Sequence, residues 1–197
     1  MSVSIDTVYQ RVLAVLNKEQ RGYITPQEFN LFANQAQMDI FEQYFYDINQ
    51  FSRMSGNDTE YSDMLNILNE KINIFARTVA LNYDNNHFDK PSDFYRLGTI
   101  IYNSKEVERV NKNEYLYINS SPLTRPSNAF PIFVENELGY NVYGTAELTA
   151  NVSCNYIKKP TTAQWAGVLT SGYELNDSNA TINFDLHPSE ESELVVK

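Results

Sequence analysis

The chain has 197 residues and a net charge of −10, from 15 Lys and Arg against 25 Asp and Glu. Aromatic residues make up 13% of it, which provides enough apolar surface to exclude bulk disorder. Residues 1–90 hold 7 basic and 12 acidic side chains and residues 91–197 hold 8 and 13. Neither half therefore has the basic patch that would neutralise a phosphate backbone, which argues against sequence-specific nucleic-acid binding.

Apolar residues recur every three to four positions through residues 1–83, and this period predicts helices. Val8, Val12 and Val15 mark one face of a first helix. A third helix is expected to carry Tyr61, Leu65, Leu68, Ile72, Phe75 and Val79. Three helices joined by short links predict a bundle with its own core.

Residues 17–28 separate the first two helices and have the spacing of a calcium-binding EF-hand loop, but the residue types argue against calcium. Arg21 takes the place of a calcium ligand and would repel the ion. Thr25, Pro26 and Glu28 instead predict the start of the second helix, with an N-cap, a proline in the first turn and a capping box. We expect no calcium site.

The second helix is predicted to carry two apolar stripes. The main stripe is Phe29, Phe32, Ala33, Ala36, Ile40, Tyr44, Ile48 and Phe51. The other stripe is Leu31, Met38, Phe41 and Phe45. One stripe is sufficient for an amphipathic helix, so the second predicts burial against a neighbouring subunit. Leu31, Met38 and Phe45 are therefore candidate residues of a subunit interface.

From residue 93 the apolar period changes to two, which predicts strands. The predicted strands are 94–102, 105–110, 131–136, 139–144 and 149–157. A short helix is expected at 112–119, and His187-Pro188 followed by acidic residues predicts the start of a C-terminal helix.

The predicted fold class is α+β: an N-terminal three-helix bundle, then a small antiparallel β region with an inserted short helix, then a C-terminal helix start. The expected domains are a helical bundle over 1–90, an antiparallel β subdomain over 91–160, and a loop with a C-terminal helix over 161–197 that returns to the bundle.

Residues 121–131 form a proline-rich arm. Its prolines are Pro122, Pro126 and Pro131. Because proline fixes φ and lacks a donor, we expect an extended, semi-rigid segment outside any sheet interior. It is either a loop packed on its own sheet or a clasp on a neighbouring subunit. In the second case Leu123 and Phe130 are the apolar anchors and Arg125 pairs with an acid of the neighbour.

Few residues are suited to metal or redox chemistry. The single cysteine, Cys154, excludes an intramolecular disulfide and predicts a small buried residue. The histidines are His87 and His187. Asp84, His87 and Asp89 have the atoms of a metal site, but the same stretch is typical of a loop that ends a helix, and we favour the loop.

Paired carboxylates and phosphate-binding motifs point to no enzyme class. Glu190-Glu191 and the pair Glu106 and Glu108 are acids of the kind that occur on a solvated face. The sequence has no G-x-x-x-x-G-K and no G-x-G-x-x-G. We therefore expect no catalytic residue, no cofactor, no metal and no enzymatic activity. No apolar run approaches membrane-spanning length, so no membrane partner is expected.

Three segments resemble the head-to-tail connector, or adaptor, ring proteins of podovirus-like and crAss-like tailed bacteriophages. They are ITPQEFNLFANQAQMDIFEQYF, PSDFYRLGTIIYNSKEVERVNKNEYLYINSSPLTRPSNAFPIF and VSCNYIKKP. The length and the order of helices before strands are similar to the tail tubular protein A type of adaptor. The resemblance covers most of residues 1–160.

The resemblance implies a virion structural protein of the neck, made in the host bacterial cytoplasm. Its expected partners are further copies of itself in a ring, commonly of twelve, the portal protein above and a downstream tail or nozzle protein below. DNA is expected to pass through the ring channel without sequence-specific binding. The alternatives are a tail-fibre or receptor-binding module, whose usual repeats and Gly-rich strands are missing here, and a small hydrolase around His87 or a wall-cleaving glycosidase.

Overall fold

The computed structural model describes residues 2–18, 24–53, 63–170 and 173–197. The chain divides into two compact units. The helical unit comprises Met1–Phe75 and Pro160–Lys197, and the sheet unit comprises Ala76–Lys159.

In the described residues, three helices come first, then ten strands interrupted by one short helix, and a final short helix. In chain order they are α1 (Ile5–Lys18), α2 (Pro26–Phe51), α3 (Met64–Asn73), β1 (Ala76–Ala80), β2 (Tyr83–Asp84), β3 (His87–Asp89), β4 (Phe94–Tyr102), β5 (Lys105–Arg109), α4 (Lys112–Ser120), β6 (Ile132–Glu135), β7 (Gly139–Tyr143), β8 (Val152–Lys158), β9 (Gly167–Thr170), β10 (Tyr173–Asn176), a 3-10 turn (Pro188–Glu190) and α5 (Glu191–Val196).

The start of α2 confirms the predicted capping box. The Glu28 N–H donates to Thr25 Oγ1 at 3.3 Å, and the Thr25 N–H donates to Glu28 Oε2 at 3.0 Å. These bonds satisfy two amide groups that have no partner within the helix. The predicted calcium-loop spacing includes residues 19–23, which lie outside the described residues.

The core of the helical unit is built from both ends of the chain. The Tyr9 ring of α1 lies 4.8 Å from Phe29 of α2 and 4.3 Å from Trp165, between ring centroids. Trp165 is buried, and its indole N–H donates to Asp6 Oδ1 at 2.8 Å. Phe184 and Leu186 of the same C-terminal stretch are fully buried. This stretch therefore supplies core side chains of the helical unit.

Side-chain amides of α2 pair with the backbone of residues 161–165. Asn34 donates from Nδ2 to the Ala163 carbonyl and accepts the Ala163 N–H at Oδ1, both at 2.8 Å. Asn30 makes the same two bonds with Trp165, at 3.0 and 2.8 Å. Each amide thus satisfies both polar groups of one backbone residue, as a neighbouring strand would.

Gln37, which is buried, extends this pairing by one helical turn. Its Nε2 donates to the Thr161 carbonyl at 2.8 Å, and its Oε1 accepts the Asp185 N–H at 3.1 Å. Asn30 and Asn34 are four residues apart, which is about 6 Å along the helix, and two residues of extended chain span about 6.6 Å, so these two amides match alternate residues of the segment. Gln37 follows after three residues and has a side chain one methylene longer. We call these contacts of Asn30, Asn34 and Gln37 the amide ladder.

The sheet unit contains one curled sheet of eight strands in the part of the chain that the structure describes, in the order β1-β8-β4-β5-β6-β7-β3-β2. Neighbouring strands are antiparallel except β5 and β6, which pair in parallel through Glu108 opposite Ile132. One face packs around a core. It consists of Leu81, Phe88, Ile100, Val107, Phe133, Tyr140, Val142, Val152, Cys154 and Tyr156.

The predicted fold class is wrong in two respects. The helices do not form an N-terminal three-helix bundle, because residues 160–197 belong to the same unit. The β region is not small and not wholly antiparallel.

The predicted third helix also extends too far. In the structure, α3 ends at Asn73, and the residues Ala76–Ala80 that were predicted as helix instead form β1, which pairs with β8 along its whole length. Phe75 and Val79 fit helical spacing, but Thr78 and Val79 are β-branched and the pairing with β8 decides their conformation. Asn85 and Asn86 then take positive φ angles of 46° and 65° in the turn between β2 and β3.

Several elements are confirmed. Strand β4 has the predicted bounds, and β5, β6, β7 and β8 lie within about three residues of theirs. The inserted helix is α4, and the predicted C-terminal helix start is the 3-10 turn followed by α5.

The amide ladder predicts that Asn34 stabilises the helical unit strongly. Asn34→Ala leaves the N–H and carbonyl of Ala163 without their partners, and we expect a loss of roughly 2 kcal/mol in the free energy of unfolding, measured by urea denaturation. Asn49→Ala is the matched control, because the exposed Asn49 side-chain amide donates to the Phe45 carbonyl of its own helix and has no other hydrogen bond among the described residues. Equal losses in the two variants would contradict a special role for the ladder.

Candidate functional site

The candidate interface residues of α2 differ in how far they reach solvent. Leu31 is 69% exposed, whereas Met38 and Phe45 are half-buried. The Phe45 ring packs edge-on against Phe41 at 5.2 Å between centroids. Leu31 is therefore available to a partner without any change in the helical unit, whereas Met38 and Phe45 belong partly to the interior.

Two aromatic residues of α2 exchange the stripes to which they were assigned. Phe41 is fully buried and its ring lies 4.8 Å from Phe75. Phe32 is 63% exposed. The buried arc of α2 follows Ala33, Ala36, Gln37, Ile40, Phe41 and Tyr44. This arc places Phe41 inside and leaves Phe32 beside Leu31 on the outer side of the helix.

The proline-rich arm is fixed to α4 by hydrogen bonds. The Arg125 guanidinium donates to the Asn119 carbonyl from Nη2 at 3.2 Å, and Thr124 Oγ1 donates to the Ile118 carbonyl at 3.1 Å. The Arg125 N–H donates to the Ser121 carbonyl at 3.1 Å. These bonds satisfy carbonyls at the end of α4 that have no partner within the helix.

The expectation of an extended arm is wrong. Ser127 and Phe130 exchange backbone hydrogen bonds of 3.3 and 3.0 Å, so the arm closes a turn. Asn128 Oδ1 accepts the Thr145 N–H at 3.0 Å and holds this turn on the sheet unit. Proline removes donors only at its own positions, and the residues between the prolines still donate.

The two predicted anchors of the arm point into solvent. Leu123 is 93% exposed and Phe130 is 80% exposed, whereas Pro126 and Pro131 are buried. The arm thus packs on its own unit through prolines and presents its larger apolar side chains outward. Whether a neighbouring subunit covers them stays a prediction. The exposed guanidinium of Arg125 makes its described hydrogen bonds to the Asn119 carbonyl of α4, in its own chain.

A cleft of about 520 Å³ lies next to Phe130 in the sheet unit. It forms where β5 leaves β4 and turns toward β6, and its walls include Leu97, Gly98, Glu108 and Arg109. Glu108 and Arg109, the charged residues of these walls, are exposed, and Arg109 Nη2 pairs with Glu135 Oε2 at 2.7 Å. The cleft is open and mixed in polarity.

A smaller groove of about 200 Å³ lies in the helical unit among α1, α2 and α5. Its walls are almost entirely apolar. They include Val8, Val12, Ala33, Ala36, Phe184 and Leu194. Phe32 and Val196, which is 86% exposed, stand at its mouth. Sequence reasoning did not find this groove because residues far apart in the chain form it.

The charge of the chain is segregated by unit. Over Met1–Phe75 and Pro160–Lys197 the sequence has 16 acidic and 6 basic side chains, whereas over Ala76–Lys159 it has 9 of each. The helical unit therefore carries the whole net charge of −10 and the sheet unit is neutral. Dividing the sequence at residue 90 concealed this difference.

The residues considered for metal chemistry serve the fold. The Asp84 carboxylate accepts hydrogen bonds from Asn85, and His87 Nε2 lies 3.1 Å from Asp89 Oδ1 within the β2–β3 hairpin. This stretch is a hairpin, so the predicted helix-ending loop is wrong. Among the described residues, no group of three or more His, Cys, Asp or Glu side chains is arranged to hold a metal ion.

Cys154 and His187 contribute to the fold, through burial in one case and through a capping hydrogen bond in the other. Cys154 is buried, as predicted, and burial raises the pKa of its thiol to about 11, which keeps it protonated and unreactive. His187 Nδ1 accepts the Ser189 N–H at 3.2 Å and caps the 3-10 turn.

The acidic pair Glu190 and Glu191 is held by cations of the helical unit. Glu190 is buried and pairs with Lys71 of α3, and Glu191 Oε1 lies 2.9 Å from Arg11 Nη1 of α1. Burial by itself raises the pKa of Glu190, but the hydrogen bond and charge of Lys71 outweigh it, so the net pKa lies below the ordinary value. A general acid needs a raised pKa, so Glu190 lacks the character of a glycosidase acid.

No family model matches the chain, and no curated protein matches it either. The resemblance to phage connector proteins therefore stays a prediction. None of the helices in the described ranges combines the length and the apolar character needed to cross a membrane.

The lowered pKa of Glu190 predicts a specific loss of stability in acid. A carboxylate whose pKa is depressed by folding stabilises the protein above its unfolded pKa, near 4.5, and this contribution disappears as pH falls through the lower folded value. We expect the free energy of unfolding to fall more steeply below pH 4.5 in the wild type than in Glu190→Gln. Chemical denaturation across this range measures it, and parallel curves would show that Glu190 contributes no linkage.

Proposed function

We propose that this protein is a structural component of a tailed-bacteriophage virion and forms a head-to-tail connector ring. In this proposal, copies pack side by side beneath the portal protein, bind a downstream tail or nozzle protein, and surround the channel through which DNA passes. The location is the neck of the virion. The proposal rests on the resemblance of the three sequence segments and on the surface properties of the chain.

The observation that carries the proposal is the exposure of large apolar side chains at ordered positions in both units. Leu31 and Phe32 lie on α2, and Leu123 and Phe130 lie on an arm that is hydrogen-bonded in place. Isolated exposed apolar residues are common on proteins, but rigidly held ones on two different surfaces favour permanent contact with other chains. Two distinct surfaces suit a head-to-tail contact, which closes into a ring when the rotation between copies permits it.

The segregated charge fits the proposed channel. A ring needs one surface that neighbouring copies can approach and one that DNA can pass without binding. The neutral sheet unit suits one side of the contact between copies, with the exposed apolar residues of α2 on the other side, because its 9 acidic and 9 basic side chains produce little net repulsion against an acidic neighbour. The rest of the helical-unit surface, which carries the net charge of −10, suits the channel wall, because acidic side chains offer phosphates no favourable contact.

The proposal is tested by the assembly state of the purified chain and of a variant at Leu31. Twelve copies of 22.7 kDa have a mass of about 270 kDa, which mass photometry separates from a monomer, and negative-stain imaging detects a central hole. Leu31→Lys should lower the ring fraction at least tenfold and leave the melting temperature of the monomer unchanged, because burying a charge is costly and Leu31 is exposed in the single chain.

Gln50→Lys is the matched control. It introduces the same charge on the same helix at an exposed position about 28 Å from Leu31, and rings should persist. A wild-type chain that stays monomeric, alone and with its portal protein, would contradict the proposed function. Equal effects of the two lysines would exclude Leu31 from the contact.

A further inference from the structure

We propose that Leu123 of one copy inserts into the apolar groove among α1, α2 and α5 of a second copy. This inference rests on the proposed function, since it specifies the contact that joins neighbouring copies of the ring. It names an interaction surface on each partner: the arm of the sheet unit on one copy and the groove of the helical unit on the next.

The arm presents Leu123 in a form suited to docking. At 93% exposure, the side chain makes almost no contact with its own chain. Its backbone is nevertheless fixed on both sides. The φ angle of the preceding Pro122 is locked by its ring, and the following Thr124 and Arg125 donate hydrogen bonds to carbonyls at the end of α4. A side chain that is exposed and already ordered loses little conformational entropy on binding, which favours its use as an anchor.

The groove has the size and chemistry to accept one such anchor. Its volume of about 200 Å³ is sufficient for a single large aliphatic side chain, and its floor is formed by buried residues such as Val8, Ala36 and Phe184. Phe32 and Val196 at the mouth are exposed in the single chain and become covered when the anchor enters. Anchors that bind in apolar pockets ringed by partly exposed contacts are typical of interface hot spots.

The net charge of the two units favours the same pairing, and the one lysine of the groove wall, Lys197, is paired with Glu193 Oε1 at 3.3 Å among the described residues. The arm carries Arg125 two residues after Leu123, and the helical unit that holds the groove carries the entire net charge of −10. Glu28 is exposed and lies one helical turn before Phe32 on α2, close to the mouth of the groove. A cationic arm approaching an acidic unit is attracted at long range and its orientation is restricted.

A second copy of this chain can itself provide the side chain that occupies the groove. Leu123 and the groove lie on different surfaces of the chain. When Leu123 of one copy binds the groove of a second copy, the groove of the first and Leu123 of the second are still unoccupied, so further copies can be added in the same way. Phe130 is the weaker candidate for the anchor, because it already lies at the edge of the cleft in its own sheet unit.

Disulfide trapping between two single-cysteine chains tests the contact. In a Cys154→Ala background, Leu123→Cys and Val196→Cys are made in separate chains, mixed and treated with a mild oxidant. Because each chain has one cysteine, any disulfide joins two copies. We expect a disulfide-linked dimer from the mixture and at most about a tenth as much dimer from either chain alone. The two sulfur atoms approach each other only when residue 123 of one copy lies in the groove of another.

Tyr46→Cys is the matched control for Val196→Cys. Tyr46 is also exposed in the helical unit, but it lies on α2 about 21 Å from Phe32 along the helix axis. Leu123→Cys should not cross-link to it above background. Equal cross-linking to positions 46 and 196 would overturn the inference, because it would reflect random collision.

Ring formation separates failure of this inference from failure of the proposed function. Rings without the 123–196 cross-link would overturn the inference alone, whereas the absence of both rings and cross-links would overturn both. As a test without cysteines, Leu123→Asp should weaken assembly roughly tenfold to a hundredfold, and Leu123→Met should assemble normally. Normal assembly of Leu123→Asp would also overturn the inference.

Discussion

The pairing of α2 side-chain amides with residues 161–165 is the interaction on which the helical unit depends. Asn30, Asn34 and Gln37 act as one edge of a sheet, so an irregular backbone segment is satisfied in a partly buried position. On its other side the segment exchanges two hydrogen bonds with Ile182, through Gln164. The segment places Trp165 against Tyr9, and the following chain delivers Phe184 and α5 to the core. The groove proposed as an assembly site exists because this C-terminal chain is held beside α1 and α2.

Local signals in the sequence predicted the elements well. The capping box of Thr25 and Glu28, the alternation in β4 to β8 and the start of α5 each depend on a few neighbouring residues, and each is confirmed. Residues 76–80 were misassigned because their helical spacing competes with a pairing to β8 from more than 70 residues away. The amide ladder had a readable signal: Asn and Gln at i, i+4 and i+7 within an otherwise apolar face are costly to bury unless another backbone meets them.

The candidate site was partly accessible from the sequence. Leu123 and Phe130 were selected because they are large apolar residues of the proline-rich arm, and both are exposed. On α2, Leu31 is exposed, as its place outside the main stripe suggested, whereas Phe32 was placed in the buried stripe and is exposed and Phe41 was placed in the outer stripe and is buried. Spacing gives a periodicity and not the direction of the core. The concentration of charge in the helical unit was hidden because that unit is discontinuous in sequence. A groove made by α1, α2 and α5 requires the tertiary structure.

The central claim is that residues 161–165 are an integral part of the helical unit, because the groove and its exposed rim depend on them. Native-state hydrogen exchange of the Ala163 and Trp165 amides tests it most directly. Both amides donate to α2 side chains, so they should exchange only through the opening that also exposes the amides of Ile40 and Phe41, with the same free energy. Exchange of Ala163 and Trp165 while the α2 amides remain protected would show that the segment detaches independently, and would contradict the account.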